Sequence, residues 1–169
     1  MNDPQVPVLA AQLGERLRTL GWRLACAESC TGGLVAAACT DLAGSSDWFE
    51  RGVVSYSNHA KVALLGVPER LIEAHGAVSE PVVRAMVEGI ARSSGADMAV
   101  AVTGIAGPAG GTPTKPLGTV WFGFAVRHRD GVLEVGAEQR RFDGDRAEVR
   151  AASVRHALQG LLQRAQLAA

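Results

Sequence analysis

The stretch WRLACAESCTGGLVAAACTDL, residues 22–42, contains a strand, a turn and a helix in immediate succession. Its first part, residues 22–27, is a short apolar run that suits a buried strand. Its last part, residues 33–42, has the spacing of a helix with one apolar face, formed by Leu34, Val35, Ala38 and Leu42. The polar residues and two glycines between them therefore lie where a strand ends and a helix begins. This unit predicts an α/β fold.

The flanking sequence continues the alternation of helices and strands. Upstream, leucines at helical spacing predict an amphipathic helix that ends at Gly21. Downstream, residues 52–57 and 98–102 are rich in strand-forming residues. Between these two strands we expect helices beginning near Asn58 as the N-cap, at Pro68 and at Ser79.

The C-terminal third predicts a hairpin followed by a helix. Residues 118–127 and 132–142 have strand character and flank an Asp130-Gly131 turn. An apolar stripe over residues 151–165 predicts the final helix. We therefore expect a single domain over residues 1–169, with a three-layer α/β/α sandwich whose mostly parallel sheet carries an antiparallel hairpin at its C-terminal end.

Composition narrows the class of protein. Lys plus Arg and Asp plus Glu each total 17, so the formal net charge is +0, and the basic excess typical of a nucleic-acid binder is missing. The cysteine count of 3 argues against a disulfide framework. Residues 1–8 show no signal-peptide pattern, and no apolar run is long enough for a membrane span. We expect a soluble cytoplasmic protein with reduced cysteines.

The turn after the first strand is one candidate site. Ser29 and Thr31 lie at the carboxyl end of a strand, where open α/β sheets bind ligands. The N–H groups of the following helix could stabilise a developing oxyanion, and Gly32 and Gly33 would allow close approach of a substrate. Spacing alone favours a simpler interpretation, in which Ser29 or Thr31 only caps the helix.

The end of the next strand offers a possible general base. Lys61 falls in the first turn of the helix predicted to begin near Asn58, and both the helix dipole and partial burial would lower its pKa. A neutral lysine can deprotonate a serine hydroxyl. An exposed surface lysine is the simpler interpretation of Lys61 alone, but consecutive strand ends bring Ser29 and Lys61 to the same edge of the sheet.

Other residues allow several interpretations. The loop over residues 103–112 could form an anion-binding nest from its backbone N–H groups or be merely flexible. The four histidines show no metal-ligand spacing. Cys30 is a rival nucleophile, although buried structural cysteines are commoner. Arg146 or Arg150 could reach a phosphate, but charges at a helix start are usually a surface feature.

Three segments together resemble one family, the CinA C-terminal domain family. They are AESCTGG at residues 27–33, GVVSYSNHAK at 52–61 and VTGIAGPAGGTPTKPLGTVW at 102–121. The resemblance covers nearly the whole chain and is closest to the stand-alone members, because 169 residues leave no room for the additional N-terminal domain of full-length CinA proteins. Stand-alone members are nicotinamide-nucleotide amidases, which release ammonia from nicotinamide mononucleotide.

The resemblance implies a serine–lysine mechanism without a metal or an organic cofactor. Ser29 matches the nucleophile, Lys61 the general base and Tyr56 a tyrosine that assists proton transfer, while backbone donors near residues 31–33 would hold the oxyanion. The positions that the resemblance and the loop chemistry assign to substrate binding are Thr31, Gly32, Gly33, Asn58, Thr103, Gly104, Gly107, Gly110, Gly111 and Arg146.

Three alternatives stay open at this point. The domain could bind a nucleotide for regulation without turnover, it could use Cys30 as the nucleophile, or it could be a competence factor that associates with nucleic acid, which the balanced charge disfavours. The expected partner is a small pyridine nucleotide, with neither nucleic acid nor membrane involved. A dimer is the default expectation for a soluble homo-oligomer.

Overall fold

The computed structural model describes residues 3–168, so Met1, Asn2 and Ala169 of the predicted domain lie outside the described residues. Helices and strands alternate before a C-terminal hairpin and helix. In chain order they are α1 Gln5–Leu20, β1 Leu24–Glu28, α2 Leu34–Thr40, a 3-10 helix Ser45–Asp47, β2 Phe49–Val54, α3 Asn58–Leu65, α4 Glu69–His75, α5 Glu80–Ser94, β3 Met98–Gly104, β4 Thr119–Arg127, β5 Leu133–Arg141 and α6 Arg146–Leu167.

The strands form one five-stranded sheet in the order β2-β1-β3-β4-β5. β1 pairs in parallel with both β2 and β3. β4 is antiparallel to β3, and β5 is antiparallel to β4. The carboxyl ends of β1, β2 and β3 therefore meet at one edge of the sheet. This arrangement confirms the predicted fold class, a mostly parallel sheet with an antiparallel hairpin.

Helices cover both faces of the sheet because its strands are apolar on both sides. On one face, α1, α2 and α6 pack against side chains that include Cys26, Val100 and Phe122. On the other face, α3, α4 and α5 pack against Ala25, Ala99 and their neighbours. Adjacent strand residues alternate between these two cores, as the pleat of a strand requires.

Two glycines set the spacing between α5 and its neighbours. A Cβ atom added at Gly123 on β4 would lie 2.7 Å from the Val83 carbonyl oxygen of α5. A Cβ atom at Gly89 of α5 would overlap the carbonyl oxygen of Leu65, the last residue of α3. The backbones therefore approach closely at both contacts, and α3 is held firmly over the sheet edge that carries the polar residues.

The boundaries differ from the predicted ones mainly at helix starts. Ser57, and not Asn58, is the N-cap of α3, and its hydroxyl oxygen accepts a hydrogen bond from the Ala60 N–H at 3.0 Å. Asn58 is the first helical residue. By contrast, α6 begins at Arg146, within the charged residues expected at its start, because Asp145 and Glu148 form a capping box there. No helix among residues 3–168 has the length and hydrophobicity of a membrane span.

Candidate active site

Three buried hydroxyl-bearing residues lie side by side across the carboxyl ends of the parallel strands. The Ser29 N–H donates to the Val102 carbonyl at 2.9 Å, and the Ser55 N–H donates to the Glu28 carbonyl at 2.8 Å, so both residues continue the ladder of the sheet. Ser29 therefore stands beside Ser55 on one side and Thr103 on the other. Strand alternation directs all three toward the layer formed by α3–α5.

Lys61 of α3 lies directly over this row. Its Nζ is 3.1 Å from the Ser29 Oγ, 2.8 Å from the Ser55 carbonyl oxygen and 3.4 Å from the Tyr56 carbonyl oxygen. The side chain is only 1% exposed, although lysine is almost never buried without a purpose or a partner. The structure thus brings together the two residues that the sequence analysis paired, 32 positions apart in the chain.

The surroundings of Lys61 disfavour its charged form. Burial lowers the pKa of the Lys61 amine, partly opposed by the nearby Cys30 thiol. Within residues 3–168 no carboxylate lies within 4 Å of the amine to stabilise an ammonium ion. In its neutral form the amine can donate its two N–H groups to the Ser55 and Tyr56 carbonyls. Its lone pair is then free to accept the proton of Ser29.

Glu28 occupies the N-terminus of α2. Its carboxylate accepts hydrogen bonds from the N–H groups of Gly33 and Val35 at 3.0 Å and of Ala36 at 2.9 Å, and its side chain is fully buried. The free amide groups at the start of α2 are therefore already satisfied by the protein itself. This carboxylate therefore fixes the first turn of α2, which follows Ser29 in the chain.

This contact changes the expected set of oxyanion donors. The Gly33 N–H is bonded to Glu28, and the Gly32 N–H donates to the Ser29 carbonyl at 3.0 Å. The expectation that the amide groups of residues 31–33 face an oxyanion therefore does not hold for Gly32 and Gly33. The N–H groups of Cys30 and Thr31 donate to no oxygen of residues 3–168, and both face the sulfur of Cys30, a weak acceptor.

Tyr56 contributes to the site with its backbone carbonyl and, separately, with its side-chain hydroxyl. Its carbonyl oxygen faces the Lys61 amine, whereas its exposed side chain turns toward α6. The Tyr56 hydroxyl accepts a hydrogen bond from Arg146 Nη2 at 2.9 Å, and Arg146 Nη1 donates to the Gly107 carbonyl at 2.9 Å. Arg146 thus connects the end of β2 to the glycine-rich loop.

The other residues predicted to bind substrate make contacts mainly with their own loops and helices. The Thr103 hydroxyl donates to the Ala77 carbonyl at 2.9 Å, and Gly104 makes room for the Cys30 sulfur. Gly110 and Gly111 contact Ile105 and Leu117 of their own loop. Asn58 faces a separate groove beside α4. Substrate binding by Asn58, Gly110 and Gly111 stays a prediction.

Cys30 has the properties of a structural cysteine. It is 5% exposed, and burial raises the pKa of its thiol to about 11. A thiol in this state is protonated near neutral pH and is a poor nucleophile. Ser29, whose hydroxyl contacts a buried amine, is the better candidate of the two neighbours.

Two residues of the site were not singled out by the sequence analysis as functional: Glu28 and Ser55. Glu28 and Ser55 stand next to the predicted residues, but a carboxylate that caps a helix from a preceding strand has no local spacing signal. Arg150 Nη2 donates to the Thr31 carbonyl at 3.1 Å across 119 residues of sequence, a contact that only the tertiary fold reveals. No cluster of three or more potential metal ligands occurs within residues 3–168.

Comparison with known proteins gives a consistent result. The family model of the CinA C-terminal domain matches residues 7–165. A nicotinamide-nucleotide amidohydrolase PncC of Enterobacter agglomerans is 51% identical over 163 residues, covering 96% of this chain and 97% of the relative. The protein of the same name from Pseudomonas putida is 53% identical over 161 residues, covering 95% and 97%.

A solved structure shows the same fold. The crystal structure of the competence/damage inducible protein CihA from Agrobacterium tumefaciens superposes with a TM-score of 0.89 at 40% sequence identity. The match covers 96% of this chain and 97% of that one. The sequence motifs, the sheet topology and these matches agree, and the chain belongs to the CinA C-terminal domain family.

Proposed function

We propose that this protein hydrolyses the carboxamide of nicotinamide mononucleotide, giving nicotinic acid mononucleotide and ammonia. The observation that carries the proposal is the 3.1 Å contact between the Ser29 hydroxyl and the buried Lys61 amine. Support for the substrate comes from the relatives named as nicotinamide-nucleotide amidohydrolases, which are 51% and 53% identical over nearly their whole length.

In the acylation half of the proposed reaction, neutral Lys61 removes the proton of Ser29 as the Ser29 Oγ attacks the carboxamide carbon. The new C–O bond converts the carbonyl oxygen into an oxyanion. The Lys61 ammonium then transfers its proton to the amide nitrogen, the C–N bond breaks, and ammonia leaves. The products of this half are an acyl-Ser29 ester and a neutral Lys61.

In the deacylation half, a water molecule takes the position that ammonia has left. Lys61 removes a proton from the water, and the water oxygen attacks the ester carbon. The bond to the Ser29 Oγ then breaks, and Ser29 recovers its proton from Lys61. The nucleotide leaves as a carboxylic acid, which ionises in water, and both residues return to their starting states.

The oxyanion is held by backbone donors in this scheme. The N–H groups of Cys30 and Thr31 are the amide groups closest in sequence to Ser29 that bond to no protein oxygen, although both face the Cys30 sulfur, and the Glu28 contacts fix the turn that carries them. Loss of one donor at such a site typically lowers the rate about 100-fold or more. Preorganisation of this turn is therefore the expected contribution of α2.

The remaining site residues have supporting roles in the proposal. Tyr56 holds Lys61 through its carbonyl, and assistance of proton transfer by its phenol stays a prediction that Tyr56→Phe can test. Thr31, Gly32 and Gly33 shape the turn, whereas Thr103, Gly104, Gly107 and Arg146 border it. Substrate contact by Asn58, Gly110 and Gly111 remains part of the proposal.

The proposal also covers location and partners. Three free, buried cysteines suit a reducing cytoplasm. The balanced charge gives no reason to propose a nucleic-acid partner. A homodimer is the expected assembly, and light scattering on the purified protein measures it directly.

The deciding experiment compares ammonia release from nicotinamide mononucleotide by wild type, Ser29→Ala, Lys61→Ala and Cys30→Ala. We expect Ser29→Ala and Lys61→Ala each to lose turnover by about 1000-fold or more with the fold intact. Cys30→Ala is the matched control, since it removes the neighbouring side chain, and it should stay active. Substantial ammonia release by purified Ser29→Ala would reject the nucleophile. Nucleotide binding without turnover by wild type would instead identify a regulatory binding domain.

A further inference from the structure

Two arginines at the start of α6 lack an acidic partner. Arg146 donates to the Gly107 carbonyl and the Tyr56 hydroxyl, and Arg150 donates to the Thr31 carbonyl. All three acceptors are neutral oxygens. Within residues 3–168 no carboxylate lies within 4 Å of either guanidinium group.

The nearby carboxylates are occupied elsewhere. Asp145 accepts the N–H groups of Ala147 and Glu148 at 2.8 and 2.9 Å, and the Glu148 carboxylate accepts the Asp145 N–H at 2.7 Å. This capping box satisfies the start of α6, so the helix amides are not available to a ligand. The positive charge of the two arginines is what remains unmatched.

Arg150 carries a second, independent sign of a missing acceptor. Its Nε is buried and has no hydrogen-bond partner. An unsatisfied donor on a charged group is costly, and native structures rarely leave one without a ligand or solvent partner. Arg155, one helical turn further along α6, is different because its guanidinium pairs with the Asp3 carboxylate at 2.6 Å.

A cavity of about 530 Å³ lies beside these arginines. It is bordered by Gly107, Pro108 and Leu117 of the glycine-rich loop, and its charged lining residues are Arg146, Arg150 and one carboxylate residue, Asp145. A second cavity of about 730 Å³ also touches Arg150 and Arg155, but three acidic residues, Asp3, Asp143 and Glu148, outnumber these arginines in its lining. The smaller cavity is therefore the one whose charge favours an anion.

The position of Arg150 relates this cavity to the reacting serine. Arg150 binds the carbonyl of Thr31, which is two residues beyond Ser29 on the same turn. A ligand with an anionic group beside Arg150 and a reacting group at Ser29 would therefore span this turn. A nucleotide with an amide at one end and a phosphate at the other has this arrangement of groups.

We propose that Arg150, with Arg146, binds the 5′-phosphate of the substrate nucleotide in this cavity. The planar guanidinium group presents paired N–H donors that match phosphate oxygens, and the two charges together balance a phosphate dianion. This inference rests on the proposed function, because it assigns a subsite to the substrate of that reaction.

The test compares two substrates that share the carboxamide and differ in the phosphate: nicotinamide mononucleotide and nicotinamide riboside. In Arg150→Met, kcat/KM for the mononucleotide should fall about 10- to 100-fold, as expected for loss of hydrogen bonds to a charged group. For the riboside it should change by less than about 3-fold on the same scale. Arg155 lies on the same helix but is ion-paired in the native protein, so Arg155→Met should leave kcat/KM unchanged for both substrates.

Two kinetic outcomes would overturn the assignment. An equal fall for both substrates in Arg150→Met would show that Arg150 only supports the Thr31 turn. An effect of Arg155→Met on the preference for the mononucleotide as large as that of Arg150→Met would move the phosphate to the larger cavity.

A binding measurement separates this inference from the proposed function. Ribose 5-phosphate, titrated calorimetrically, should bind wild type and bind Arg150→Met at least about 10-fold more weakly. If wild type releases no ammonia but still binds ribose 5-phosphate more tightly than Arg150→Met does, the amidase proposal is rejected and the phosphate site is retained. Equal binding of ribose 5-phosphate to wild type and Arg150→Met would reject the phosphate site whatever the activity.

Discussion

Burial of a single amine affects the stability of this protein and, in the proposed mechanism, its chemistry. Lys61 is 1% exposed and is surrounded by a hydroxyl and two carbonyl oxygens, so its charged form loses the hydration that it has in the unfolded chain. This loss lowers the pKa of the amine and destabilises the folded state wherever the amine is protonated. The proposed general base and this stability cost therefore have one cause.

Lys61→Met should be more stable than wild type at pH 7, with a difference that depends on pH. Burial lowers the pKa of Lys61 in the folded state below its ordinary value of 10.5, so between these two values the unfolded chain binds a proton that the folded protein does not. Wild type consequently gains stability as pH rises through this window, by up to about 1.4 kcal/mol per pH unit.

Urea unfolding of wild type and Lys61→Met at several pH values between 7 and 10 measures this difference, because the contributions of other groups cancel. We expect the advantage of Lys61→Met to shrink as pH rises between the lowered folded-state pKa of Lys61 and its ordinary value of 10.5. An advantage that stays constant across this range would mean that the Lys61 pKa is not lowered in the folded protein.

At the scale of elements, two helices are capped in very different ways. α6 begins with a local, exposed capping box formed by Asp145 and Glu148. α2 is capped by Glu28, a fully buried carboxylate at the end of the preceding strand, with three backbone hydrogen bonds. The second cap joins β1 to α2 across the turn that carries Ser29, so it stabilises the position of this proposed nucleophile as well as the helix.

Glu28→Ala should lower the free energy of unfolding by about 3 kcal/mol, because it leaves buried N–H groups at the start of α2 without an acceptor. Asp145→Ala is the control at an exposed cap and should cost about 1 kcal/mol. Urea titrations of both variants at 25 °C give the comparison. Equal losses in the two variants would show that the buried cap contributes nothing beyond ordinary capping.

The same elements show what sequence can and cannot predict. The order of strands and helices follows from local periodicity, and the meeting of Ser29 with Lys61 follows from strand ends that share one sheet edge. Local chemistry could not choose between Ser57 and Asn58 as the cap of α3, since both residue types cap helices. The Arg146–Tyr56 contact spans 90 residues and depends on how α6 lies against the loop, so it left no signal in the sequence.

At the scale of the molecule, the sheet separates two cores that differ in their cysteine content. Cys26, Cys30 and Cys39 all belong to the core beneath α1, α2 and α6, and each is buried. Burial raises the pKa of the Cys30 thiol to about 11 and that of Cys39 to about 12, and it raises the pKa of Cys26 well above its ordinary value. The reactivity of these thiols therefore measures unfolding of the core beneath α1, α2 and α6.

In the native protein the three thiols should react with a thiol reagent only after unfolding, since both access and thiolate formation require exposure. If the molecule opens as one cooperative unit, all three should be labelled at one rate, and that rate should rise with urea with the slope of global unfolding. Pulsed alkylation followed by mass spectrometry of peptides measures each thiol separately, and Cys30→Ala provides a chain in which the remaining two should still react together. Faster labelling of Cys30 than of Cys26 and Cys39 would contradict this expectation. It would mean that the turn carrying Ser29 opens while the core beneath α1, α2 and α6 stays folded.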